Sequence, residues 1–250
     1  MRLTRVYVDA ALEPGTRLRL EGSAAGHVTR VLRLRVGEAL TLFNGRGGEY
    51  AASVAESAGA EVTVAVGAHR AIERESPLPI TLAQGLSRAE RMDLVVQKAT
   101  ELGVLQLAPL MLERSVVRLD ARQAHRKLDH WRAIAVAACE QSGRNRLPEL
   151  FAPATLHGFL RESACTAAVA ASAPTRLLLS PHATLGIGEI PRPQGPVTVL
   201  IGPEGGLSED EQAAALAAGF TAARLGPRVL RTETAAIVAL ALLQRQFGDL

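Results

Sequence analysis

The chain has 250 residues, 48% of them apolar and 21% charged, which excludes a disordered polymer and leaves room for one large domain or two small ones. The net charge of +3 is too modest to establish a nucleic-acid partner by itself. No apolar run approaches the ~20 residues that span a bilayer, and neither the histidines nor the cysteines have metal-ligand spacing.

Residues 1–7 read as a charged strand rather than a secretion signal. The region 1–72 continues in β patterns. Residues 17–20 alternate, 39–43 and 49–54 flank an Asn44-Gly45 turn, and 61–66 form another strand. Short strands at this spacing predict a small barrel. Between them, residues 27–35 place Arg30 and Arg33 on one helical side, or Arg33 and Arg35 on one strand face. Either arrangement is a solvated charged face or a phosphate-binding one.

Residues 72–79 are charged and then proline-broken, and they mark a domain boundary. Afterwards strands and helices alternate, which predicts a parallel α/β sheet. Residues 80–83 form a strand. Ser87 and Glu90 form a capping box for a helix striped by Met92, Val95, Val96, Ala99 and Leu102 and stopped by Gly103. A strand at 104–110 precedes a helix striped by Leu128, Trp131, Ile134 and Ala138. Cys139 and Cys165 lie in alanine-rich surroundings and read as reduced core residues. The stretch 164–173 is helix or loop. Further strands follow at 176–180, 197–201 and 221–225, and an apolar helix at 233–246.

The residues most suited to chemistry lie at 197–211 and 225–235. In each, a strand end runs into a glycine loop and then into a helix start. Gly202, Gly205 and Gly206 let a ligand approach the main chain. Ser208 with Glu211 forms a capping box for a helix through Ala218. In an open α/β sheet this junction lies at the carboxyl ends of strands, where ligands bind. The loop lacks the lysine ending of a P-loop and the spacing of a dinucleotide fingerprint.

Ile201-Gly-Pro-Glu-Gly-Gly-Leu207 and Leu225-Gly-Pro-Arg-Val-Leu-Arg-Thr-Glu-Thr-Ala235 resemble the cofactor loops of the SPOUT methyltransferases. More narrowly they resemble the RsmE family, which methylates N3 of a uridine in 16S ribosomal RNA. Residues 87–93, 98–103 and 140–148 extend the resemblance to essentially the whole chain. It implies a SPOUT-type α/β domain with a deep trefoil knot at 77–250, preceded by a PUA-like RNA-binding β-barrel at 1–72. It also implies S-adenosyl-L-methionine as cofactor, the small ribosomal subunit as partner, a homodimer, and the cytoplasm as location. No metal and no membrane enter this reading. The alternatives are a SPOUT ribose 2′-O-methyltransferase and a non-catalytic RNA-binding or ribosome-assembly protein.

The implied cofactor residues are Leu179, Ile201, Gly202, Pro203, Glu204, Gly205, Gly206, Leu225, Gly226, Arg228, Leu230 and Thr232. Uridine N3 must lose a proton, which calls for a base or for stabilisation of the anion. Glu204 and Glu233 are the nearby carboxylates, and Arg231 could face charge developing on the uracil. Both acids also suit a helix N-terminus for electrostatic reasons alone. His182 lines the same pocket or merely occupies a loop. Arg30, Arg33, Arg88, Arg91, Arg144, Asn145 and Arg146 are the candidate RNA contacts. All basic side chains other than histidine are arginine except Lys98 and Lys127, which favours forked contacts to phosphate.

Overall fold

The structure, a computed structural model, describes residues 4–59, 61–168 and 172–250. The Cys165 side chain and part of the alanine-rich stretch 164–173 lie outside the described residues. The chain forms two compact units. One is Met1–Glu75 with Val136–Leu147, and the other is Ser76–Ala135 with Pro148–Leu250. Among the described residues, no helix is long and apolar enough to cross a membrane.

The first unit holds a five-stranded mixed sheet. Its strands are β1 Arg5–Tyr7, β2 Arg17–Leu20, β3 Ala39–Phe43, β4 Glu49–Ala58 and β5 Glu61–Arg70, in the order β1-β3-β4-β5-β2. β1 runs parallel to β3, and the other pairs are antiparallel. Val62, Val64 and Val66 alternate into the core with Val6, Leu20, Leu40, Leu42 and Val54, as a sheet with one buried face requires. A short helix, α1 Gly22–Gly26, covers that face and continues as a π-helical turn, His27–Leu32, that buries Val28 and Leu32. So the helical alternative for this region holds only as far as Leu32. Arg33 lies past the helix end at φ 56°, the one non-glycine residue of positive φ among those described, so Arg30 and Arg33 do not share a helical side.

The second unit is a six-stranded parallel sheet. It comprises β6 Ile80–Gly85, β7 Gln106–Leu110, β8 Glu149–Leu150, β9 Thr175–Leu179, β10 Val197–Ile201 and β11 Thr221–Ala223, in the order β11-β9-β10-β6-β7-β8. Its helices are α2 Ala89–Glu101, α3 Ala121–Ser142, α4 Leu156–Ala168, α5 Glu209–Ala217 and α6 Thr232–Phe247; residues 136–142 of α3 belong to the first unit. Both faces are apolar, as a parallel sheet covered on two sides must be. Leu82, Leu177 and Val199 pack with the stripes of α2 and α6 and with Trp131 of α3. Their neighbours Ala83, Leu178 and Leu200 pack on the other face with Leu156, Ala215 and Phe220.

The ends of the helices follow local chemistry in two cases and depart from it in a third. α5 carries the expected capping box: Glu211 N–H donates to Ser208 Oγ, and Ser208 N–H donates to the Glu211 carboxylate at 3.0 Å. α2 ends in a Schellman motif, with Gly103 N–H bonded to Thr100 O, Val104 N–H to Ala99 O, and Gly103 at φ 78°. The capping box expected at Ser87 and Glu90 does not form. The helix starts at Ala89 with Arg88 as N-cap, and Ser87 Oγ is buried with no hydrogen-bond partner.

Candidate active site

A cavity of about 560 Å³ opens in the second unit at the carboxyl ends of β9, β10 and β11. Two loops wall it. The first, 202–207, leaves β10 and ends at the N-cap of α5, and the second, 225–231, joins β11 to α6. The lining brings together Leu179, Ile201, Gly202, Pro203, Glu204, Gly205, Gly206, Leu225, Gly226, Arg228, Leu230 and Thr232. Arg231, Arg91 and His182 also line it. Two segments separated in sequence thus converge because parallel strands deliver their loops to one edge of the sheet.

The walls suit an amphipathic ligand. Leu178, Leu179, Ile201, Leu207, Leu225 and Leu230 supply apolar surface. Gly206 at φ 70° and Gly226 at φ 133° both have open space where a Cβ would stand, so the main chain of each loop meets the cavity bare. The volume falls in the range of roughly 300–1,000 Å³ typical of small-molecule sites. A nucleoside cofactor with a flexible tail fits such walls. Among the described residues, no group of three or more His, Cys, Asp or Glu gathers to hold a metal.

Polar links set the shape of the cavity. Glu204 accepts from Arg91 Nη1 at 2.8 Å and from Arg88 N–H at 3.4 Å. Glu233 lies in the first turn of α6 but does not line the cavity. Its Oε1 is 3.8 Å from Arg91 Nε, while its Oε2 is buried without a partner. Thr232, 6% exposed, donates to Gly202 O at 2.6 Å and accepts from Gln84 Nε2 at 2.8 Å. Gly85, beside Gln84, lies so close to the first loop that an added Cβ would be 2.5 Å from Pro203 N. Arg114, also in the lining, donates to Gly205 O at 3.3 Å. Sequence reasoning passed over Gln84, Gly85, Arg114 and Ser180. Only Ser180 left a trace there, as the last residue of the strand read at 176–180.

Arg144 and Asn145 require a correction: they are 3% and 0% exposed, not surface contacts for RNA. Both serve a buried polar network in the first unit. Arg5 donates to Asn145 Oδ1 at 2.5 Å, to Arg144 O at 3.2 Å and to Glu49 at 2.5 Å. Asn145 Nδ2 donates to Ile72 O at 2.6 Å, and Arg144 pairs with Glu75 at 2.5 Å. Burial would raise the Glu49 carboxyl, but Arg5 and Arg74 outweigh it and hold it below its ordinary value. Glu140 moves the other way. Burial dominates and raises it, although Tyr7 N–H donates to it at 3.0 Å and His27 stands 3.4 Å away. Burial also pushes the Cys139 thiol up to about 12, so it is inert. Arg146 is exposed, with Glu73 at 3.5 Å, and Arg30, Arg33 and Arg88 are exposed.

An RNA methyltransferase domain model matches residues 74–244, and an RNA methyltransferase PUA domain model matches residues 20–66. The chain belongs to the ribosomal RNA small subunit methyltransferase E family. A family member from Mycobacterium bovis is 37% identical, covering 94% of this chain and 88% of that protein. One from Buchnera aphidicola is 32% identical over 100% of this chain and 98% of its own length. Among solved structures, the family member from Neisseria gonorrhoeae bound to S-adenosyl methionine is 35% identical and covers 99% of both chains, with a TM-score of 0.89. A methyltransferase from Legionella pneumophila with the bound cofactor SAM is 43% identical and covers both chains fully, with a TM-score of 0.92.

Proposed function

We propose that this chain transfers a methyl group from S-adenosyl-L-methionine to N3 of a uridine in 16S ribosomal RNA. The observation that carries the reading is the cavity walled by both glycine loops, in a chain whose family members are solved with that cofactor. When bound, the cofactor supplies a methyl group already activated on a sulfonium. The main chain of Gly202–Gly206 and Gly226, with Leu179, Ile201, Leu225 and Leu230, would hold and orient it. Glu204 lines the cavity and Glu233 does not, which favours Glu204 as acceptor of the N3 proton. Arg231 stands at the N-cap of α6, exposed and in the lining, placed for charge developing on a uracil oxygen.

RNA affinity falls to exposed arginines. Arg30, Arg33 and Arg146 serve in the first unit, and Arg88 and Arg114 in the second. The π-helical turn and the positive φ of Arg33 support a binding role for the first group, since such backbone features gather at ligand clamps. We further infer a PUA-like barrel at 1–72 and a knotted SPOUT domain at 77–250. The match of residues 74–244 to an RNA methyltransferase domain model, with the likeness of both glycine loops to SPOUT cofactor loops, supports the knot. Val229, 79% exposed, and Leu242, 40% exposed, support a homodimer surface. The ribosomal substrate supports a cytoplasmic location.

The test is nucleoside mass spectrometry of small-subunit RNA treated with the protein and labelled cofactor. The expected product is N3-methyluridine. Label on ribose 2′-oxygen, or no label at all, would replace this reading with one of the two alternatives.

A further inference from the structure

We propose that Gln84 is a positioning residue that aims the Thr232 hydroxyl and thereby fixes the cofactor-binding loop after β10. The inference rests on the reading that the cavity takes S-adenosyl-L-methionine. Gln84 sits on β6, fully buried and outside the cavity lining. Its Nε2 donates to Gly85 O at 3.2 Å and to Thr232 Oγ1 at 2.8 Å. Thr232 in turn donates to Gly202 O at 2.6 Å. A threonine hydroxyl carries one proton. With Nε2 supplying a proton to Oγ1, the hydroxyl's own proton is directed to Gly202 O. The hydrogen-bond chain therefore has one polarity, set at its buried end.

Three elements meet in that chain: the end of β6, the loop after β10 and the start of α6. The carbonyl it grips belongs to the peptide joining Gly202 to Pro203. Proline has no N–H, so this oxygen is the peptide's only hydrogen-bonding group. Holding it fixes the peptide plane where the loop enters the cavity. Steric contact acts with it. A Cβ on Gly85 would lie 2.5 Å from Pro203 N and 2.9 Å from Gly202 C, so β6 braces the same peptide from behind. Gln84 Oε1 is buried with no hydrogen-bond partner, a desolvation cost that an apolar residue would avoid. A glutamine here is explained by its two donors. Gly202, Pro203 and Thr232 line the cavity, so Gln84 reaches the ligand only through them.

The experiment is titration calorimetry of S-adenosyl-L-methionine against the full-length protein and against Gln84→Leu, Gln84→Glu, Thr232→Val and the Gln84→Leu/Thr232→Val double variant. Thermal melts without ligand accompany each titration. Gln84→Leu and Thr232→Val are each expected to weaken cofactor affinity about tenfold, the scale of one buried hydrogen bond. The double variant should be no weaker than the worse single one, because both break one chain. Gln84→Glu keeps the volume, but its carboxylate draws the Thr232 proton away from Gly202 O. It should weaken affinity at least as much as Gln84→Leu, and it serves in place of Gln84→Leu if that variant does not fold. Apparent KM for RNA should stay unchanged in all of them. Wild-type affinity in folded Gln84→Glu or Thr232→Val, or additive losses in the double variant, overturns the proposal. Wild-type protein that binds no S-adenosyl-L-methionine overturns the cofactor reading, and this inference with it.

Discussion

Replacing Asn145 with alanine separates a structural role from an RNA-binding one. Asn145 is fully buried, accepts from Arg5 Nη2 at 2.5 Å and donates to Ile72 O at 2.6 Å. The first bond is charge-assisted and contributes about 2 kcal/mol, the second about 1 kcal/mol. Truncation removes both, so the first unit should lose about 3 kcal/mol. With a urea slope of roughly 1–3 kcal/mol per molar, its midpoint should fall by about 1–3 M. The two tyrosines, Tyr7 and Tyr50, report on this unit, and Trp131 reports on the other. The assay is urea unfolding followed by both signals, with cofactor and RNA titrations on the folded variant. Cofactor affinity and the dependence of RNA affinity on salt should be unchanged. If the tyrosine midpoint stays at its wild-type value while RNA affinity falls, Asn145 meets RNA and the buried-network reasoning is wrong.

Gly226→Val should weaken cofactor affinity at least about tenfold, because φ 133° costs a branched residue roughly 1–3 kcal/mol and its side chain enters open space at the cavity; calorimetry showing wild-type affinity in a folded variant contradicts this. Gly202→Val should also lower the melting temperature, since its Cβ would stand 2.8 Å from Leu207 Cδ1 and 2.9 Å from Gly206 C; an unchanged melt refutes it. Arg231→Ala should cut turnover at saturating RNA roughly 100-fold with little change in RNA affinity. Weakened RNA binding with turnover intact would make Arg231 a positioning residue. For Glu140, burial raises the carboxyl above 4.5, so its contribution to stability is complete below that value and is lost as pH rises through the raised one. Glu140→Gln does not titrate. Its stability relative to wild type should therefore improve between about pH 4 and about pH 8, and denaturation showing the opposite trend would refute the assignment.

Much of the fold was legible because local chemistry settled it. The run Val197–Ile201 is too apolar for anything but a buried strand, and its successor helix caps itself with Ser208 and Glu211, three residues apart. The Schellman motif at Gly103 is equally local. The cavity was legible for a related reason. Parallel strands carry their outgoing loops to one edge, so two glycine loops that each follow a strand must meet there. By contrast, the short strands β8 and β11, of two and three residues, carry little periodicity of their own and were missed or overextended.

What was not legible depends on partners far along the chain. Ser87 and Glu90 have the spacing of a capping box, yet the N–H of Arg88 turns to Glu204, 116 residues away, and the helix starts at Ala89 with Arg88 as its N-cap. Gln84 reads as the polar end of a strand until Thr232, 148 residues on, accepts from it. Arg144 and Asn145 follow a helix as exposed polar residues commonly do, and only Arg5, Ile72 and Glu75 reveal why they are inside. The same guanidinium or amide is a surface contact when its partner is phosphate and a structural strut when its partner is another part of the chain. Spacing records residue type and local period, but not which distant partner arrives. A buried arginine needs a carboxylate to offset the cost of leaving water, and Glu75 supplies it for Arg144 as Glu49 does for Arg5. Glu49, Glu73, Glu75 and Glu140 are the acids that Arg5, Arg74, Arg144, Arg146 and His27 meet in the first unit. Glu75 lies 69 residues before Arg144, so only the fold brings that carboxylate to it.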